Sequence, residues 1–163
     1  MSQRDHWEKT FRANREMYGS EPSEPGRYAA TRFASEGLTR VVELGAGQGR
    51  DTLGMLAAGL AVTAVDYAAR PLDGIVATAS SPGVDLASSL VTVVHDVRQP
   101  LGFPDASFDA CYSHMLFTMA LSSDELVALA NDVRRVLRPG GSLYLHRPPR
   151  WRRPLRRGAR PRG

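Results

Sequence analysis

A carboxylate and three glycines alternate in Glu43-Leu44-Gly45-Ala46-Gly47-Gln48-Gly49, between the apolar run "RVVEL" and a helix-like stretch from residue 51. Glycines packed into one turn let the backbone approach a ligand closely, and the helix behind them offers unpaired N–H groups. Two spaced acids follow, Asp66 closing "AVTAVD" and Asp96 closing "LVTVVHD". His114 comes just after "SFDACYS", and histidine is the side chain best suited to taking a proton near neutral pH. These residues point to a nucleotide-binding turn with a general base, His114, in reserve. His114 serves equally well as a packing or cofactor-contact residue.

The spacing bears on which nucleotide. A dinucleotide fingerprint is G-x-G-x-x-G, but here the third place falls on Arg50 and the glycine stands at 49. A pyrophosphate seeks the positive end of the following helix, and Glu43 two residues ahead of the first glycine is a poor neighbour for it. The carboxylate suits a ligand with an ammonium group. S-adenosylmethionine (SAM) carries an ammonium and a sulfonium and no phosphate.

The segments around these residues alternate between two periodicities. A short β-branched run at 40–44 and the runs at 61–67, 90–96, 107–113 and 142–146 read as five strands. Between them lie helix-like stretches at 51–58, with Gly59 as a stop, and at 72–79, where Leu72, Ile75, Val76 and Ala79 share a face before the "SSPG" break. In "SSDELVALANDVRRVLRPGG" (122–141), Ser122 and Glu125 fit a capping box. Leu126, Leu129, Ala130, Val133 and Leu137 make a stripe there, and Pro139-Gly140-Gly141 is expected to end the helix. Strands alternating with helices imply an α/β fold, a Rossmann-like doubly wound parallel sheet with helices on both faces. In such sheets ligands bind at the C-terminal strand ends beside the first strand, where the glycine turn falls.

In these motifs the sequence resembles the class I SAM-dependent methyltransferases. "ELGAGQG" matches their first motif, Phe108-Asp109 enter the fourth strand as expected, and "LRPGG" matches Leu137 to Gly141 letter for letter. The "GQGRDTL" variant looks like the thiopurine and tellurite-resistance side of the superfamily. The resemblance implies that Glu43, Gly45, Ala46, Gly47, Gly49, Tyr67 and Ser113 bind the cofactor, SAM. It further implies that Asp66 takes the ribose hydroxyls, and that Asp96 and the Val97 N–H read the adenine. It implies transfer of a methyl group to a small-molecule acceptor, with no metal. Alternatives are a truncated SAM-binding domain without turnover and an NAD(P)-dependent oxidoreductase, against which Glu43 and the glycine spacing argue.

Three parts are expected along the chain: an N-terminal helical segment (1–39), the cofactor-binding core (40–146) and a tail (147–163). In the first, Trp7, Phe11 and Tyr18, with Met17, share a side; they form either a lid over the cofactor or the apolar face of a docked helix. The resemblance implies seven strands in the order 3-2-1-4-5-7-6, but the tail offers no sixth or seventh. It has eight arginines, four prolines and no acid, and proline cannot serve in a central strand. With 20 arginines and one lysine, Lys9, the chain suggests a GC-rich gene and a frameshift or truncation just after the fifth strand. The tail is expected to be disordered, with RNA or acidic lipid as its conceivable ligands.

The 163 residues, 42% hydrophobic and 23% charged, fit one ordinary globular domain. The net charge of +4 comes from the tail, since the body before it is mildly acidic; nucleic acid is therefore not expected as a partner of the body. There is no long apolar run for a membrane span and no secretory signal, and the single cysteine, Cys111, reads as a small core residue. A reduced, cytoplasmic setting is the expectation.

Overall fold

The structure, a computed structural model, describes residues 3–14, 19–81, 86–119 and 121–146. Met17, Tyr18 and the whole 147–163 tail lie outside the described residues. The elements run α1 (Gln3–Ala13), α2 (Glu24–Ser35), β1 (Arg40–Leu44), α3 (Arg50–Ala57), β2 (Ala61–Asp66) and α4 (Ala69–Ala79). They continue with β3 (Leu90–Val94), β4 (Phe108–His114), α5 (Ser123–Val136) and β5 (Leu137–His146), with single 3-10 turns at Ala87–Ser89 and Leu116–Thr118.

The five strands form one sheet in the order β3-β2-β1-β4-β5, every pair parallel. The chain winds outward from β1 to β3, then returns to the other side of β1 for β4 and β5. That reversal makes the switch point between β1 and β4, where a crevice opens at the C-terminal strand ends. β1 beyond Arg40 and β4 up to Ser113 are buried on both faces, so the polar Glu43, Asp109 and Ser113 are enclosed with their apolar neighbours.

Successive residues of β1 point to opposite faces. Val41 packs with Phe33 of α2, Met55 and Leu56 of α3, and Tyr112. Val42 and Leu44 pack on the other side with Leu129, Val133 and Val136 of α5. Ile75 and Leu72 of α4 join Ala64 and Ala46 in a smaller cluster beside the first.

Helix starts follow local chemistry. The Ser23 hydroxyl accepts from the Gly26 N–H at the head of α2, and Ser122 and Glu125 form the reciprocal capping box of α5. Three expectations from periodicity are corrected. Val76 is exposed on α4, and Ala130 is exposed on α5, where Val136 is buried instead. α5 ends at Val136, and β5 begins at Leu137 rather than at 142. Leu137 already pairs with Phe108, and the register then jumps so that Ala110 faces Ser142. Pro139 has no N–H for the ladder, Gly140 sits at φ +77, and a Cβ on Gly141 would lie 2.9 Å from the Arg138 and Asp109 carbonyl oxygens. "LRPGG" is therefore a bulge inside the strand's entry, not only a helix stop.

Candidate active site

The end of β1 runs straight into the glycine turn. Gly45, Gly47 and Gly49 have φ of +79, +53 and +79, a left-handed backbone that side chains resist. Gly49 is required twice over, because a Cβ there would fall 2.3 Å from Ile75 Cγ1 of α4. The turn is pinned to β2, since the Gly45 and Ala46 N–H groups donate to the Val65 carbonyl at 2.8 and 3.1 Å. The Gly47 N–H donates to the Asp66 carboxylate at 2.9 Å.

A cleft opens above this turn, and its walls gather residues distant in sequence. Glu43, Gly45, Ala46, Gly47 and Gly49 form the floor; Asp66, Tyr67, Asp96, Val97 and Arg98 form one wall; His114 to Leu116 form the opposite wall. Trp7 and Phe11 of α1 line it from above, with ring centroids 5.4 Å apart. A Cβ on Gly47 would meet the Phe11 ring at 3.5 Å, so α1 lies directly over the glycine turn. The Gln48 amide also donates to the Asn14 carbonyl at 2.7 Å.

Glu43 is 3% exposed, and one of its oxygens accepts from the Thr52 hydroxyl at 2.5 Å. Burial pushes its pKa up to about 8; the Thr52 bond opposes the rise, and Asp51 and Asp66 add to it. The group at the cleft floor is therefore a carboxylic acid at neutral pH that a cationic neighbour would ionise.

Asp66 is buried, and burial raises its pKa although the Ala68 and Gly47 N–H groups both donate to it. With the Tyr67 N–H as a third donor, about one of the carboxylate's four acceptor sites stays open. Asp96 is half-exposed and held by Arg98, whose Nε and Nη2 reach its two oxygens at 2.9 and 2.5 Å. Those guanidinium bonds hold the Asp96 carboxyl below the usual carboxylate range.

His114 stands at the end of β4 with Nδ1 3.2 Å from Asp51 Oδ2. Asp51, in the first turn of α3, is 4% exposed and collects three further hydrogen bonds: the Ser23 N–H at 2.6 Å, the Ser23 hydroxyl at 2.8 Å and the Tyr112 hydroxyl at 2.7 Å. Burial alone would raise its pKa, but the bonds from His114, Tyr112 and Ser23 outweigh that and hold it at about 2. Ser113 sits apart from the others. It is buried, donates its hydroxyl to the Leu44 carbonyl at 2.8 Å and does not line the cleft. Cys111 is wholly buried, with its thiol pushed up to about 12, as suits an inert core residue.

Two residues of the site escaped the sequence reading. Asp51 looks like an ordinary acid in a helix's first turn, and Arg98 like a surface cation beside a turn. The only local hint was their place next to motifs already singled out. Leu116 is a third case: it approaches the position of a Gly45 Cβ at 3.1 Å, which a loop residue in a sequence cannot announce.

A glycine turn leaving the first strand of a β3-β2-β1-β4-β5 sheet at its switch point defines a Rossmann-like α/β fold. The chain belongs to the methyltransferase domain family, whose model matches residues 41–141. Among solved structures it is similar to the glycopeptide N-methyltransferase MtfA, with 25% identity over 80% of this chain and 54% of that one, at a TM-score of 0.61. MtfA is also matched in its complexes with SAM and with S-adenosylhomocysteine (SAH). A SAM-dependent methyltransferase from Methanosarcina mazei shares 28% identity over 65% of this chain and 50% of its own length, at a TM-score of 0.59. The CcbJ methyltransferase from Streptomyces caelestis, at 24% identity, 76% and 49% coverage and a TM-score of 0.63, shows the same fold. The chain thus spans about half the length of these structures. No curated protein matches it significantly. Among the described residues no helix is long and apolar enough to cross a membrane.

Proposed function

We propose that this chain binds SAM in the cleft and transfers its methyl group to a small-molecule acceptor. The observation that carries the reading is the buried acid Glu43 on the cleft floor, directly ahead of three left-handed glycines. A buried carboxyl with a pKa near 8 gains most from a ligand that brings a positive charge to it. A pyrophosphate would instead meet an acid where it needs a donor, which disfavours a dinucleotide.

The residues present fit SAM part by part. Glu43 takes the ammonium, the glycine turn lets the backbone come close, and Asp66 lines the cleft with about one acceptor site left for a ribose hydroxyl. Asp96 and the Val97 N–H serve the adenine edge, with Arg98 sharing Asp96, while Tyr67 lines the same wall. Trp7 and Phe11 cover the site and exclude water. SAM supplies a methyl group already activated by its sulfonium, so this chain's own work is mainly to hold the nucleophile in line. His114 accepts a proton where the acceptor must lose one.

Calorimetry on the full chain with SAM, SAH and NAD tests this. SAM and SAH should bind and NAD should not. Binding of NAD without SAM would overturn the reading, and SAM binding with no SAH formed from any acceptor would reduce it to a binding domain.

A further inference from the structure

Asp51 is the most heavily bonded side chain of the site, and methyl-donor binding makes no use of it. Its four donors come from three residues. Ser23, the N-cap of α2, gives its N–H and its hydroxyl, while the Tyr112 hydroxyl and His114 Nδ1 project from β4. Gly26 makes the approach possible, since a Cβ there would lie 2.4 Å from Asp51 Oδ1.

Donor and acceptor roles in this cluster follow by elimination. The Ser23 hydroxyl accepts from the Gly26 N–H, so its own proton goes to Asp51. Tyr112 has a raised pKa and gives its proton to Asp51 as well. An ionised carboxylate only accepts, so the 3.2 Å contact with His114 requires an N–H on Nδ1. In a neutral imidazole the lone pair then sits on Nε2. That nitrogen has no hydrogen bond among the described residues and is not one of the buried unsatisfied atoms, so it opens to the cleft that His114 lines. The His146 ring on β5 packs edge-on at 4.8 Å and holds the other side of the imidazole.

We propose that Asp51 is a positioning residue: it holds His114 as the Nδ1–H tautomer, with the Nε2 lone pair facing the cleft to receive the acceptor's proton. The acceptor's nitrogen or oxygen would bond to the methyl carbon as the methyl–sulfur bond breaks, its electron pair staying on the sulfur of SAH; the acceptor's proton passes to Nε2, and the resulting imidazolium faces the Asp51 carboxylate. The proton later leaves to solvent. Only the source of the proton rests on the methyl-transfer reading; the tautomer does not.

Nitrogen-15 spectra of histidine-labelled full-length chain decide the matter, recorded with the imidazole neutral and with His114 assigned through His114→Gln. The wild type should show a protonated Nδ1 and a lone-pair Nε2 for His114. Asp51→Ala should shift the ring towards the Nε2–H form, while Tyr112→Phe, which removes a different bond to the same carboxylate, should leave the Nδ1–H form in place. SAH affinity of each variant is measured in parallel. A wild-type ring protonated on Nε2 overturns the proposal without any variant having to fold. An unchanged tautomer in folded Asp51→Ala also overturns it. Failure of SAH to bind the wild type would sink the methyl-donor reading alone, because the ring spectrum is read independently.

Discussion

The Asp66 carboxylate accepts the Gly47 N–H at 2.9 Å, so the end of β2 holds the glycine turn that leaves β1. One side chain thereby shapes the cradle and lines it.

Because of that double role, Asp66→Ala should lose both stability and affinity. A charged hydrogen bond is worth roughly 1.5–3 kcal/mol, so SAH affinity should fall by about one to two orders of magnitude. Asp66→Asn keeps an acceptor for Gly47 and should fold better than Asp66→Ala while binding nearly as poorly. Calorimetry and urea unfolding of both variants separate the effects. Unchanged SAH affinity in Asp66→Ala would remove the residue from the site.

Gly49 and Gly59 share a left-handed backbone, at φ +79 and +84, but differ in surroundings. A Cβ on Gly59 meets nothing within 4 Å, whereas one on Gly49 strikes Ile75. Gly59→Ala should therefore cost about 1–2 kcal/mol from backbone strain alone. Gly49→Ala should add a clash of about 1–3 kcal/mol. Thermal melts should rank Gly49→Ala clearly below Gly59→Ala; equal losses would mean that α4 yields at no cost.

Glu43 gives the site a pH signature. Its folded pKa of about 8 lies above its ordinary value near 4.5. Its share of stability is then fully present below about 4.5, declines as the unfolded chain ionises, and is lost by about 8. Asp51 has the opposite sign: held at about 2 against 3.8, it contributes above 3.8 and is lost as pH falls through 2. Glu43→Gln should flatten the fall in stability between about 4.5 and 8 while leaving the acid limb intact. At pH 7, SAM binding should also release a proton from Glu43, read as a dependence of the binding enthalpy on the buffer. A buffer-independent enthalpy would mean that no cation reaches this carboxyl.

Local order carried most of the architecture. The five strands, the order of the helices and the capping box of α5 were legible, because apolar periodicity and turn chemistry act within a few residues. The glycine turn was legible for the same reason, since G-x-G-x-G after a β-branched run admits few backbones. Tertiary structure decided the partners. That Asp51 bonds His114 63 positions away and that Ser113 turns to the Leu44 carbonyl depend on which strands lie side by side. Likewise the exposure of Val76 follows from what α4 packs against, and the bulge at Arg138–Gly141 from the register with β4. A carboxylate's role is set by the donors that reach it, and those donors arrive only when distant segments pack together.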